Sequence, residues 1–181
     1  MKDMERLGER LKIRRAQPEE AEARFRWFSD PAVTEFLPLA GERILPLENI
    51  VEFLARASRD DDPNLNICIE LLSGRLIGCG GLREIVPGES AEVSVVIGER
   101  DVWGAGYGRE AMQLLLREGF DALKLRAIWL IVREENFRAV RLFSQLGFAV
   151  TETLEAAVVV KGIPRTKLRM RLEASEWRRS A

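Results

Sequence analysis

The sequence predicts a mixed α/β architecture: one central sheet of about seven strands, largely antiparallel in its first half, flanked by helices. Two observations carry this expectation. Strand-like and helix-like apolar patterns follow one another in the order β-α-α-β-β-β-α-β-α-β-β. Short turns join the middle strands, leaving room only for hairpins.

The elements follow in chain order. Leu11 and Ile13 alternate with Lys12 and Arg14, so residues 11–17 read as a first strand. Pro18 opens a helix, with Glu19, Glu20 and Glu22 suited to its positive N-terminal end. Asp30-Pro31 breaks it, and a shorter helical piece with Val33, Phe36 and Leu37 follows. Residues 38–45 read as a mobile loop of the kind that forms binding sites. Pro46 to Arg59 is amphipathic, with Ile50, Phe53 and Leu54 at helical spacing. Asn66–Leu72 and Leu76–Ile85 form a hairpin around Ser73-Gly74-Arg75, and Pro87-Gly88 turns into a third strand, Ala91–Gly98. A long helix, Gly106–Leu123, repeats Met112, Leu116 and Phe120 every fourth residue. The strand Ala127–Val132, a helix Asn136–Leu146 stopped by Gly147, and strands Ala149–Val160 and Arg165–Leu172 complete the pattern. No repeat or Gly/Ser linker divides the chain, so residues 9–172 are expected as a single domain and 173–181 as a tail.

Composition narrows the chemistry. The 181 residues balance 28 Lys and Arg against 29 Asp and Glu, a net charge of −1, which does not suit a nucleic-acid partner. Histidine is absent, removing Ser-His-Asp and Cys-His nucleophiles, the common zinc sites and any imidazole base. No metal is expected. Tyr107 is the single tyrosine. Cys68 and Cys79 are too few for a disulfide scaffold and read as small apolar strand residues. The charged N-terminus has no secretory signal and no apolar run is long enough to span a membrane, so a cytoplasmic location is expected.

The chemistry concentrates in Val93–Met112, VSVVIGERDVWGAGYGREAM, where a strand runs through Gly104, Gly106 and Gly108 into a helix. Glycines let amides approach an anion, and the helix start adds partial positive charge, so this turn suits a phosphate or pyrophosphate; a plain tight turn is the simpler alternative. A Walker A loop would end in Gly-Lys-Ser/Thr, where Arg109-Glu110 stands instead. A dinucleotide fingerprint would need glycine at Arg109 and would follow the first strand.

Trp103-Gly104-Ala105-Gly106-Tyr107-Gly108 resembles the pyrophosphate loop Gln/Arg-x-x-Gly-x-Gly/Ala of the GCN5-related N-acetyltransferases, with Trp103 at the usual Gln or Arg. Downstream, Asn136 to Phe148 resembles the family's Asn-x-x-Ala-x-x-x-Tyr-x-x-x-Gly-Phe motif. The wording of the loop is most similar to the branch containing the ribosomal-protein N-terminal acetyltransferases. The resemblance implies acetyl-CoA lying across the strand Val95–Gly98, its pantetheine arm taking backbone bonds from Val96, Ile97 and Gly98. The pyrophosphate would sit on the amides of Gly104, Ala105, Gly106, Tyr107, Gly108 and Arg109. Asn136 would bridge strand and cofactor arm, cap the following helix, or do both.

Relatives often place a thiolate-protonating tyrosine where this chain has Phe143, and some place a glutamate where it has Ile131. Tyr107 is expected to pack inward. Glu92, at the start of the cofactor strand, is the candidate base acting through a water chain, against the plainer reading of a solvated strand end; Glu35 and Glu84 are weaker candidates. The implied reaction is direct acetyl transfer to a primary amine, such as a protein N-terminal α-amine, whose pKa of about 8 lies well below the ~10.4 of lysine. A polyamine or aminoglycoside acceptor, attracted by Glu19-Glu20-Glu22 and Asp60-Asp61-Asp62, and a non-catalytic acyl-CoA sensor are the alternatives. No membrane partner is expected, and a homodimer stays open.

Overall fold

The computed structural model describes residues 4–37, 46–160 and 162–180, so the expected loop at 38–45 lies outside the described residues. Eight strands form one sheet in the order β1-β2-β3-β4-β5-β6-β8-β7. They are β1 (Glu5–Leu7), β2 (Leu11–Arg15), β3 (Leu65–Leu71), β4 (Leu76–Val86), β5 (Ser90–Ile97), β6 (Ala127–Arg133), β7 (Ala149–Val160) and β8 (Ile163–Glu173). Every neighbouring pair is antiparallel except β5 and β6, which run parallel. The expected hairpins are present, and Cys68 and Cys79 face each other across β3 and β4 as buried free thiols.

The helices are α1 (Ala21–Phe28), α2 (Pro31–Thr34), α3 (Leu47–Ala57), α4 (Tyr107–Arg117), α5 (Phe137–Gln145) and α6 (Ala174–Ser180). Pro18 opens a short 3-10 turn ahead of α1, and Asp30 caps α2 by accepting from the Ala32 N–H. The helix expected to reach Leu123 ends at Arg117 and continues as a single π-type turn, Glu118–Ala122. The main core joins β2–β6 and β8 to α4 through Met112 and Leu115, and to the π-type turn through Phe120. A smaller cluster of Ala16, Ala21, Ile50 and Leu54 ties α1 to α3. Two elements went unanticipated: the short edge strand β1, and α6 where a tail was expected. Trp177 of α6 is buried against Phe120.

One contact fixes α1 to the end of β5. Trp27 is buried, its indole N–H donates to Glu99 Oε1 at 2.8 Å, and its ring lies directly over Gly98. A Cβ on Gly98 would come within 2.1 Å of that ring. Gly98→Ala must therefore displace a buried indole, and we expect a loss of about 1–3 kcal/mol in a urea titration. Gly88→Ala is the contrast, since a Cβ there meets nothing within 4 Å and its cost is that of the left-handed backbone alone.

Candidate active site

The parallel pairing of β5 with β6 runs only from Ser90↔Ala127 to Glu92↔Trp129, and beyond it the strands are unpaired. The carbonyls of Ser94 and Val96 lie against Gly80 and Gly78 of β4. Strand alternation then turns the N–H and C=O groups of Val95 and Ile97 into the gap. This corrects the expected contacts at two positions. The Gly98 N–H is already donated to Ile77 O, and the Val96 carbonyl faces the neighbouring strand. Val95 and Ile97 are the residues whose backbone faces the opening.

The glycine loop stands at the end of the same strand. Gly104 and Gly106 have φ of +82° and +89°, which side-chain-bearing residues adopt only with strain, and Gly106 leads directly into α4. The Ala105 N–H donates to Val102 O and the Arg109 N–H to Gly106 O, so these two amides, expected to face an anion, are committed within the loop. The amides of Gly104, Gly106, Tyr107 and Gly108 have no acceptor among the described residues and form a cradle at the positive end of the helix. Trp103 holds the loop to the strand, its indole N–H donating to Ile97 O at 2.8 Å, while Arg138 of α5 lies over its ring. Tyr107 packs against the main core, as expected, under the Arg10 guanidinium.

The loop is also fastened from the far side of the sequence. Glu110 Oε1 accepts the N–H groups of Arg10 (2.8 Å) and Leu11 (3.2 Å), and its Oε2 accepts Arg10 Nε at 2.9 Å. Arg10 Nη1 then donates to Ala105 O at 2.8 Å. Burial would raise the Glu110 carboxyl, but the Arg10 and Leu11 donors outweigh it and hold it below the ordinary value of 4.5. This network is a hundred residues long in sequence, and nothing local could have signalled it.

Asn136 caps α5, its Oδ1 accepting the Ala139 N–H at 3.2 Å. Phe143 is half-buried with its ring edge against Phe148, so this position offers no proton donor. Glu92 is 7% exposed rather than a solvated strand end. Arg83 binds it in a fork, Nε to Oε2 at 2.7 Å and Nη2 to Oε1 at 3.0 Å. Glu92 and Trp129, the last paired residues before the splay, line a cavity of about 550 Å³ together with Arg83, Ile131, Arg133 and Lys167. A second cavity of about 800 Å³, between α1, α3 and the sheet, shares Arg83 with it. Of the acidic clusters, Glu20 is buried between Arg14 and Arg24, and Asp61 is paired with Arg59. Among the described residues there is no group of three or more His, Cys, Asp or Glu able to hold a metal, and no helix long and apolar enough to cross a membrane.

A strand that splays from its parallel neighbour, ending in an amide cradle on a helix start, is the framework of an acyl-CoA-dependent transferase. Residues 10–149 match the acetyltransferase (GNAT) domain family, and the chain belongs to it. It is an acetyl-CoA-dependent N-acetyltransferase. The uncharacterized N-acetyltransferase p20 of Bacillus licheniformis is 28% identical over 142 residues, covering 77% of this chain and 79% of that protein. The spermidine N(1)-acetyltransferase of Escherichia coli K12 is 32% identical over 80 residues, covering 44% and 42%. The fold is similar to that of the spermidine N-acetyltransferase from Vibrio cholerae in complex with CoA and spermine, with a TM-score of 0.83 and 23% identity over 94% of this chain and 99% of that one. It is also similar to that of a GNAT-family acetyltransferase from Bacillus anthracis, with a TM-score of 0.81, 21% identity and coverage of 96% and 100%. At these identities the structural likeness speaks to the fold.

Two predictions follow from the loop geometry. Gly106→Asp and Gly106→Ala impose the same backbone strain, but only the first puts a carboxylate in the amide cradle. CoA affinity measured by calorimetry should fall at least ~10-fold further for the aspartate than for the alanine. Glu110→Gln should cost about 1.5–3 kcal/mol at pH 7. The folded carboxyl ionises below 4.5, so its contribution is complete above pH 4.5 and is lost as the pH falls through the depressed folded value. The stability gap between wild type and variant should therefore close in acid.

Proposed function

We propose that the chain acetylates a primary amine by direct transfer from acetyl-CoA, with the acceptor entering the cavity at the splay of β5 and β6. The observation that carries this reading is the position of that cavity. Its wall includes Glu92 and Trp129, where the strand pairing stops and the Val95 backbone and the Ile97 N–H lose their strand partner. The amides of Gly104, Gly106, Tyr107 and Gly108 would hold the pyrophosphate, and Val95 and Ile97 the pantetheine arm. Asn136, Phe143 and Trp103 would border that arm. The bound donor supplies the activated acyl group.

Direct transfer is supported by the cysteines. A covalent acyl-enzyme route would need a reactive thiolate. Cys68 and Cys79 are both buried, and burial, with Glu20 beside Cys68, pushes their thiols up. The amine must then attack the thioester itself. With no imidazole in the sequence and its single tyrosine turned into the core, positioning and backbone polarisation of the carbonyl carry most of the catalysis. Such a site favours an α-amino acceptor, which loses its proton more readily than a lysine-type amine. The loop wording shared with the ribosomal-protein N-terminal acetyltransferases supports the same choice.

Glu92 is the proposed base. Arg83 fixes its orientation, and it reaches the amine through a water chain. Incubation with acetyl-CoA and a panel of N-terminal peptides, small α-amines and polyamines, followed by free-thiol release, tests the reading; no release above the amine-free rate with any acceptor overturns it. Glu92→Gln should lower kcat by about 100-fold while CoA affinity stays within twofold of wild type. A kcat that changes less than threefold would remove Glu92 from the reaction.

A further inference from the structure

The cavity beside Glu92 is charged in a way that acetyl transfer alone does not require. On β6 and β8, Ile131 pairs with Arg169 and Arg133 pairs with Lys167, so three cations share one sheet face. Like charges directly opposite each other across strands are destabilising. Counter-ions only partly offset them. Arg169 meets Glu152 at 2.7 Å, and Arg133 and Arg165 share the single carboxylate of Glu135, at 3.2 and 2.9 Å. Lys167 has no ion pair or hydrogen bond among the described residues, and the Nε of Arg169 is buried without an acceptor. Arg133 is nearly buried and is held in place by Glu35 O at 2.7 Å and by the Phe36 ring. This wall therefore has a cation with no counter-ion among the described residues, beside an Arg169 guanidinium that lies over the Trp129 ring.

The wall at the β4–β5 end of the same cavity carries two carboxylates, one of them forked to Arg83. Glu92 and Glu84 line it from β5 and β4. Glu84 is held at φ +49° by the bulge between Arg83 and Val86, a conformation that costs energy for any residue but glycine. The space between the two walls is lined by Trp129 and Ile131. A polyamine would bring further positive charge towards Lys167, Arg133 and Arg169, where Glu135 and Glu152 are already paired with arginines.

We infer that the acceptor carries a carboxylate on the same small skeleton as its amine, with an apolar body, and that Lys167 is the specificity-determining residue that binds this carboxylate. The inference rests on the amine-acetylation reading above and names its substrate class. The amine lies towards Glu92 and the splay, and the carboxylate lies towards Lys167 and Arg133. A free amino acid with an apolar side chain presents this chemistry in full, and the first residue of a peptide beginning with Asp or Glu presents its amine and carboxylate without the apolar body.

The test compares leucine and phenylalanine with their methyl esters, Asp-Ala-Ala-amide with Asn-Ala-Ala-amide, and all of these with spermidine. The readout is kcat/KM for thiol release from acetyl-CoA. The carboxylate-bearing member of at least one matched pair should be preferred about tenfold or more, and spermidine should be a poorer substrate. Preference within the first set identifies a free amino acid, and within the second a peptide terminus. Lys167→Gln should collapse that preference through KM, and Lys167→Arg should retain it. If amines are acetylated but no matched pair shows the preference, if spermidine is the best acceptor, or if Lys167→Gln leaves the ratio intact, the inference fails while acetyl transfer stands. If no amine is acetylated, the amine-acetylation reading and this inference fail together.

Discussion

The parallel contact between β5 and β6 lasts for only three residues on each strand, and most of the functional geometry depends on its ending there. A continuous ladder would bury the polar groups of Val95 and Ile97 in strand pairing. Because the two strands diverge after Trp129, the Val95 groups and the Ile97 N–H are left without a strand partner, while the Ile97 carbonyl accepts the Trp103 indole N–H. The apolar face of β6 still enters the main core through Ile128, Leu130 and Val132, so the divergence does not leave the sheet unsupported. The other face of the same strand, Trp129, Ile131 and Arg133, is freed to line a cavity. One divergence of neighbouring strands would thus make room for both the donor and the acceptor.

The amide cradle depends on a different principle, the fixing of a loop that is rich in glycine and therefore entropically costly to order. Trp103 clamps it to the end of β5, and Glu110 clamps it to the β1–β2 turn through three donated hydrogen bonds. Arg10 closes the circuit by binding both Glu110 and the Ala105 carbonyl. With its backbone held in this way, the cradle presents amides that need little reorganisation when an anion arrives. The Trp103 indole occupies the position where relatives of the resemblance have Gln or Arg, and its N–H supplies a hydrogen-bond donor there.

Much of this was legible in the sequence because it is local. The Ser73-Gly74-Arg75 hairpin, the strand-loop-helix from Val93 to Met112 and the Asn136 cap are each specified by residues within a few positions of one another. What was hidden has a common physical cause. The Arg10–Glu110 fastening, the Arg83–Glu92 fork and the unpaired Lys167 opposite Arg133 depend on strand register, which no single segment encodes. The expected bonds from the Gly98 and Arg109 amides failed for a related reason, since each N–H finds a protein acceptor that only the folded backbone supplies. β1 escaped because a three-residue polar edge strand has almost no periodicity, and α6 because, among its described side chains, only Ala174 and Trp177 mark an inward face.

The seat of Trp27 on Gly98 has a mechanical consequence. α1 walls the larger cavity through Arg24 and Phe28, and β5 ends in the same contact through Gly98 and Glu99. A buried indole over bare backbone, with its N–H held by Glu99 and Arg26 paired to the same carboxylate, leaves no slack between helix and strand. A displacement of the strand end would therefore press directly on α1, and through it on the wall of the larger cavity.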